Sequence, residues 1–343
     1  MYSALLVVLV RRFHARRGLF HAFVSSLLLL FGIIPAGHAQ TGTFPSKPMH
    51  VVVGFAPGGG ADVAMRAIAL KMQVALGQPV VVENRPGASG NIGAMHVVQS
   101  QPDGYTLYLA TASNAISAAA VRKGDMQLRF ELTKDLKPVV LLLKNQNVVV
   151  AHPSFPASNI RELLVLARKQ PGKLNFGSVS PSFQLANELF RQMGDVKVTD
   201  VPYKGGGPFL VDLMGGQIEL GIMDVAAVLP LARAGKVKVL ASTSLQRFPG
   251  LPDVPTVDES GIPGYEASGW LALMAPAGTP ADVISKLNAA AAKALTDPEL
   301  RERLISAGAT PSAGLSEEFG TFLASQIDKW ERVMKQGGLR LEN

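Results

Sequence analysis

The feature that most constrains this chain is a repeated succession of short β-branched runs and helix-periodic segments, joined by glycine- or hydroxyl-rich turns. Residues 49–55 (MHVVVGF) form an apolar run that stops at Ala56-Pro57-Gly58-Gly59-Gly60. Such a run reads as a buried strand entering a tight loop. Over residues 63–76 apolar side chains recur at helical spacing, and Asp62 stands where an N-cap is expected. The unit then repeats as a strand at 78–83, a loop at 84–90 (NRPGASG), a helix at 91–100, a turn at 102–104 and a strand at 105–110. This alternation predicts a parallel sheet with helices on its faces.

A second block follows the same rule. Strands are expected at 136–143 and 147–152, a helix at 160–169 capped by Ser158 or Asn159, a strand at 174–177 and a helix at 182–193. A strand at 198–203, a helix at 208–215, a strand at 220–223, a helix at 226–234 and a strand at 237–242 complete it. The tail reads as helices at 280–295, 298–307 and 316–335. Two stretches, 143–147 and 265–270, are candidate hinges, because a domain interrupted by another needs two crossings. A ligand then sits between the lobes, at the carboxyl ends of the strands. A length of 343 residues suits two domains at about 100–200 residues each.

The first 39 residues differ from the rest: Arg11, Arg12, Arg16 and Arg17, no acid, an apolar run at 23–34, then small residues at Gly37 and Ala39. A basic head, short apolar middle and small-x-small end predict a secretory signal peptide, cleaved after Ala39, and hence a periplasmic protein. The apolar run falls short of the roughly 20 residues a membrane span needs. Arg16-Arg17 leaves twin-arginine export as an alternative route. The chain carries net charge +7; without the leader's four arginines, 29 basic residues face 26 acidic ones, net +3. That mild and scattered charge argues against nucleic acid as a partner. There is no cysteine, hence no disulfide framework and no thiolate.

The glycine-rich turn at 55–62 (FAPGGGAD) can present free N–H groups at a helix N-terminus, where the dipole favours an anion. It is not G-x-G-x-x-G and carries no Gly-Lys-Ser/Thr, so a nucleotide reading fails; a plain βα turn stays the alternative. Arg85, in the loop at 84–93, is expected in an ion pair. Thr111 and Ser113 follow a strand and can hydrogen-bond a ligand, or Ser113 and Asn114 cap locally. Ser178, Ser180 and Ser182 open another helix, with Ser182 either a contact or a cap. Asp224 ends a strand and either accepts from a ligand or caps the next helix. Catalysis finds little support: outside the leader only His50, His96 and His152 occur, none at metal-binding spacing. No serine sits in a nucleophile elbow. No cofactor motif is present.

Residues 55–66 (FAPGGGADVAMR), 79–93 (PVVVENRPGASGNIG), 101–107 (QPDGYTL), 201–217 (VPYKGGGPFLVDLMGGQ), 251–259 (LPDVPTVDE), 264–270 (GYEASGW) and 275–280 (APAGTP) together resemble the tripartite tricarboxylate transporter substrate-binding proteins, or Bug proteins. The resemblance implies an α/β, two-lobed periplasmic binding protein (Venus flytrap, type II-like) with two interlobe crossings. Lobe 1 would comprise 44–144 plus 267–343, and lobe 2 residues 145–266. It implies a non-enzymatic, cofactor-free, monomeric protein that captures a small organic anion. Ligands of the family are organic acids, acidic amino acids and aromatic acids. The partner would be a tripartite tricarboxylate-type membrane transporter, or alternatively a sensor kinase; a periplasmic hydrolase is a third reading. Carried over position by position, the ligand contacts are Phe55, Ala56, Gly58, Gly59, Gly60, Asp62, Thr111, Ser113, Ser178, Ser182 and Asp224. The chain departs from the family at Ser113-Asn114-Ala115-Ile116-Ser117-Ala118, usually closer to Thr-His-Ala-Ile-Asn-Pro. It departs again at 178–185, where the usual loop is longer, glycine-rich and ends in His-Leu. Both departures fall where the distal end of a ligand is expected.

Overall fold

A computed structural model of the protein describes residues 44–340; the leader at 1–39 lies outside them. The first sheet has six strands: β1 (Met49–Val53), β2 (Val80–Asn84), β3 (Thr106–Thr111), β4 (Leu136–Asn145), β10 (Gly269–Pro276) and β11 (Ala309–Pro311). Their order is β11-β4-β10-β3-β1-β2. The second sheet has five: β5 (Asn147–Ala151), β6 (Asn175–Ser178), β7 (Thr199–Pro202), β8 (Leu220–Asp224) and β9 (Lys238–Ser242), in the order β7-β6-β8-β5-β9. The helices are α1 (Gly60–Leu76), α2 (Asn91–Val98), α3 (Ala112–Lys123), α4 (Leu132–Asp135), α5 (Ile160–Lys169), α6 (Pro181–Gly194), α7 (Gly206–Met214), α8 (Val225–Arg233), α9 (Ala281–Leu295), α10 (Pro298–Ser306) and α11 (Ser316–Gly337). The fold is a two-lobed α/β binding-protein fold, one sheet to each lobe. No helix among the described residues is long and apolar enough to cross a membrane.

The expected parallel sheet is corrected to a mixed one. β1 runs parallel to β2 and β3, but β10 is antiparallel to both β3 and β4. The reason is connectivity: β10 returns from the second sheet at the end where β4 leaves for it, so the two must run in opposite directions. β10 escaped the sequence reading because its run, Gly-Trp-Leu-Ala-Leu-Met-Ala-Pro, holds no β-branched residue. Helix α3 also went unread. Its start, Ala-Ser-Asn, looks like a loop, yet Thr111 and Asn114 form a capping box there. Its alanine-rich side then packs on α11. Helix α2 ends at Val98, short of the expected 100.

Each sheet builds its core through strand and helix periodicity together. In the second, Leu185, Ala186, Leu189 and Phe190 of α6 form one buried stripe at helical spacing. Phe190 meets Phe176 of β6 at 5.3 Å and Tyr265 edge-on at 5.9 Å. Between the sheets the chain crosses at Gln146 and again along 243–268. The crossings are knitted together. Asn147 Nδ2 donates to the Ala267 carbonyl at 2.9 Å, Thr243 Oγ1 donates to the same oxygen at 3.2 Å, and Lys144 pairs with Glu266 at 2.9 Å. Helix α11 packs against α3 on one side and α6 on the other, and Gln192 Nε2 donates to the Val333 carbonyl at 3.0 Å.

Candidate functional site

The first loop owes its shape to a close backbone approach. A Cβ on Gly54 would lie 2.4 Å from the Gly90 Cα, so only glycine lets β1 pass the short 3-10 turn at Ala88–Gly90. Tyr108 secures that turn by donating to the Gly90 carbonyl at 2.9 Å.

Asp62 was expected as the N-cap, but Gly59 occupies that position. Asp62 lies two residues inside the helix start and is buried. Its carboxylate accepts from Gly58 N at 2.9 Å, Arg66 Nε at 3.0 Å and Asn84 Nδ2 at 2.9 Å. The Arg66 hydrogen bond, aided by those from Gly58 and Asn84, lowers its pKa to about 2 against the opposing effect of burial. Asn84 in turn donates to the Phe55 carbonyl at 3.0 Å. Asp62 therefore braces the loop from behind. Arg85 lies 3.7 Å from Glu83, the expected ion pair.

A cavity of about 200 Å³ lies between the sheets at the carboxyl ends of β3 and β8. Phe55, Thr111 and Ser113 on the side of the first sheet and Ser182 and Asp224 on the side of the second all line it. Five expected residues, spread over 170 positions of sequence, thus meet around one space. Gly60 lines an adjoining cavity of about 380 Å³, which shares Ala61, Asn145 and Asp224 with the first. Ala56, Gly58 and Gly59 are exposed and lie outside both linings.

Ser178 is not brought to the cavity; it is buried and donates to Asp200 at 2.9 Å. Ser180, not Ser182, holds the N-cap position of α6, and the two hydroxyls pair at 2.9 Å. Asp224 holds the N-cap position of α8 but makes no side-chain cap bond.

The cavity wall contains no lysine, arginine or histidine, and Asp224 is its one charged side chain. Positive potential comes instead from backbone. Helices α1, α3, α6 and α8 all start at this wall, contributing Ala61, Ala112, Ser182 and the cap residue Asp224. Asp224 touches solvent through the cleft while protein crowds it within, and that loss of hydration raises its pKa.

Besides the half-buried Asn145, the sequence reading missed Asn147, Ser268, Trp270 and Trp330 as polar contributors. The latter four are buried. Asn147 Oδ1, Ser268 Oγ and both indole Nε1 atoms lack a hydrogen-bond partner. Asn147, Ser268 and Trp270 lay within or beside the stretches read as hinges, which was the available signal. Trp330 sits in an amphipathic helix, where a tryptophan reads as core. None of His50, His96 and His152 lines the cavity, and no metal-binding group of three or more His, Cys, Asp or Glu occurs among the described residues.

Residues 64–339 match the family model described as "Tripartite tricarboxylate transporter family receptor". Protein BugT of Bordetella pertussis is 34% identical over 326 residues, covering 93% of this chain and 99% of BugT. Among solved structures, Rpa4515 of R. palustris with adipate is 33% identical with a TM-score of 0.68, covering 87% of this chain and 99% of that one. MatC of Rhodopseudomonas palustris with bound malate is 33% identical with a TM-score of 0.65, covering 84% and 99%. The chain belongs to the tripartite tricarboxylate transporter receptor family, and is a solute-binding receptor of the Bug type.

Proposed function

We propose that this receptor captures a small carboxylate-bearing metabolite in the periplasm and hands it to a tripartite tricarboxylate-type membrane transporter, without transforming it. The observation that carries this reading is the wall of the cavity between the sheets. It has four helix N-termini and no basic side chain. A carboxylate is met there by N–H groups and helix dipoles, which need no counter-ion side chain. Adipate and malate in two relatives of 33% identity support a carboxylate as the ligand class.

In this reading the lobes comprise 44–144 plus 267–343 and 145–266, and close over the ligand by flexing at the two crossings. Because Thr111 and Ser113 belong to one lobe and Ser182 and Asp224 to the other, a ligand touching both binds the closed form better and shifts the population toward it. The secretory leader at 1–39 directs the chain to the compartment where such capture is useful. The direct contacts are Phe55, Thr111, Ser113, Ser182 and Asp224, while Asp62 positions the first loop.

The test is a thermal-shift screen of the purified protein with organic acids and their amides. A ligand at about 100 times its Kd stabilises by about 2.7 kcal/mol, well within reach of a melt. Stabilisation by an acid and not by its amide supports the reading. Stabilisation by amides or other neutral compounds alone sinks it, and so does turnover of the hit.

A further inference from the structure

The first cavity holds more hydrogen-bonding capacity than a carboxylate consumes. Asn147 shows it most clearly. Its Nδ2 is committed to the Ala267 carbonyl at 2.9 Å, which leaves Oδ1 as a pure acceptor without a partner. The neighbouring Gln146, at the same crossing, is satisfied at both ends: its Nε2 donates to Thr310 Oγ1 at 3.1 Å, and its Oε1 accepts from Ser244 Oγ at 2.7 Å. The crossing therefore can satisfy an amide, and at Asn147 it does not. Ser268 Oγ is likewise buried and unpartnered. Asp224, open to solvent through the cleft, is register partner to Asn147 across β5 and β8 and adds a charged acceptor to the same wall with no basic side chain to pair it. A buried polar group left without a partner, as Asn147 Oδ1 and Ser268 Oγ are, costs about 1–3 kcal/mol, so such groups persist where a ligand completes them. The donors available to a carboxylate are separate ones: the helix N-termini and the indole N–H groups of Trp270 and Trp330, both unpartnered.

We infer that Asn147, Ser268 and Asp224 form a donor-reading subsite, so that the ligand is a carboxylate carrying a hydroxyl or ammonium group rather than an unsubstituted acid. This rests on the carboxylate reading proposed above and narrows it. A simple acid would fill the space but leave Asn147 Oδ1 and Asp224 unmatched, and a site built to bond such a group rejects the analogue that lacks it.

Matched trios on one carbon skeleton test the inference by calorimetry: succinate, malate and aspartate, then propionate, lactate and alanine. The hydroxyl- or ammonium-bearing member of a trio should bind at least about tenfold more tightly than the unsubstituted one. The hydroxy and amino arms distinguish the two donors. Ser268→Ala and Asn147→Leu should each compress that ratio toward one. Ser268→Ala breaks no bond within the protein, so it decides the matter should Asn147→Leu fail to fold. Unsubstituted acids that bind as well as or better than their donor-bearing counterparts overturn the inference, in these trios or in the wider screen, while leaving carboxylate capture standing. An unchanged ratio in the variants overturns it too. Failure of every carboxylate to bind removes the parent reading instead.

Discussion

Asn147 and Asp224 face each other in register across the β5–β8 pair, and neither side-chain acceptor has a protein partner: Asn147 Oδ1 is buried and unbonded, and the Asp224 carboxylate caps nothing. The first residue of one strand and the last of its neighbour thus hold two acceptors at the cavity, beside the crossing between lobes.

Asp224→Asn should weaken a donor-bearing ligand about tenfold, since hydrogen bonds to charged groups contribute about 1.5–3 kcal/mol. Loss of hydration on the side packed against protein raises the Asp224 pKa. Ligand affinity of the parent protein should therefore fall on mild acidification, as the carboxylate protonates above its ordinary range, and that component should vanish in the variant. For the ligand-free protein the sign is opposite. The folded state holds the proton at higher pH than the unfolded chain, so stability falls as pH rises through the raised pKa. Calorimetry and melts across acidic pH check both.

Asp62→Ala should cost about 2 kcal/mol, the scale of hydrogen bonds to a charged group, and loosen the first loop. The folded pKa of about 2, against 3.8 ordinarily, means stability is present above the unfolded value and is lost as pH falls toward 2. A melt of the variant unchanged from the parent would show that the loop does not depend on this brace.

The protein's two tryptophans, Trp270 and Trp330, both line the cavity. Intrinsic tryptophan emission therefore comes wholly from its wall. Saturating ligand should shift or quench it, and Trp270→Phe and Trp330→Phe should each keep part of the response. A flat emission titration with a ligand already seen to stabilise the fold would place binding elsewhere.

Lys329 of α11 donates to the Glu266 carbonyl at 3.0 Å, at the second crossing. Burial lowers its pKa to about 8, with Glu266 opposing the shift and Lys144 adding to it. The unfolded chain titrates near 10.5, so between about 8 and 10.5 it holds more protons than the folded state, and stability rises with pH in that window. Below about 8 the cost of the buried charge is constant. Melting temperatures of the parent minus those of Lys329→Met should climb across the window. A flat difference would put the ammonium in water.

Local chemistry made much of this legible in the residues themselves. Short apolar runs ending in Gly58-Gly59-Gly60, at Thr111 and at Asp224 announce strands that stop at a common edge, because hydrophobic period and turn chemistry are local properties. The same logic found Thr111, Ser113, Ser182 and Asp224, and the family resemblance added Phe55, all of which meet at the cavity. Other expected contacts stand away from the cavity in this structure. Asp62 pairs with Arg66, Ser178 pairs with Asp200, and Ala56, Gly58 and Gly59 lie on the surface.

Tertiary structure alone decided the rest. That β10 runs antiparallel follows from where the chain re-enters the first sheet, which no local pattern encodes. Trp330 reaches the cavity only because α11 packs against both α3 and α6. Whether a buried polar atom is satisfied depends on partners far away in sequence: Gln146 finds Thr310 and Ser244, while Asn147 Oδ1 beside it finds none. Sequence sets which groups can bond, and packing sets which of them are left for a ligand.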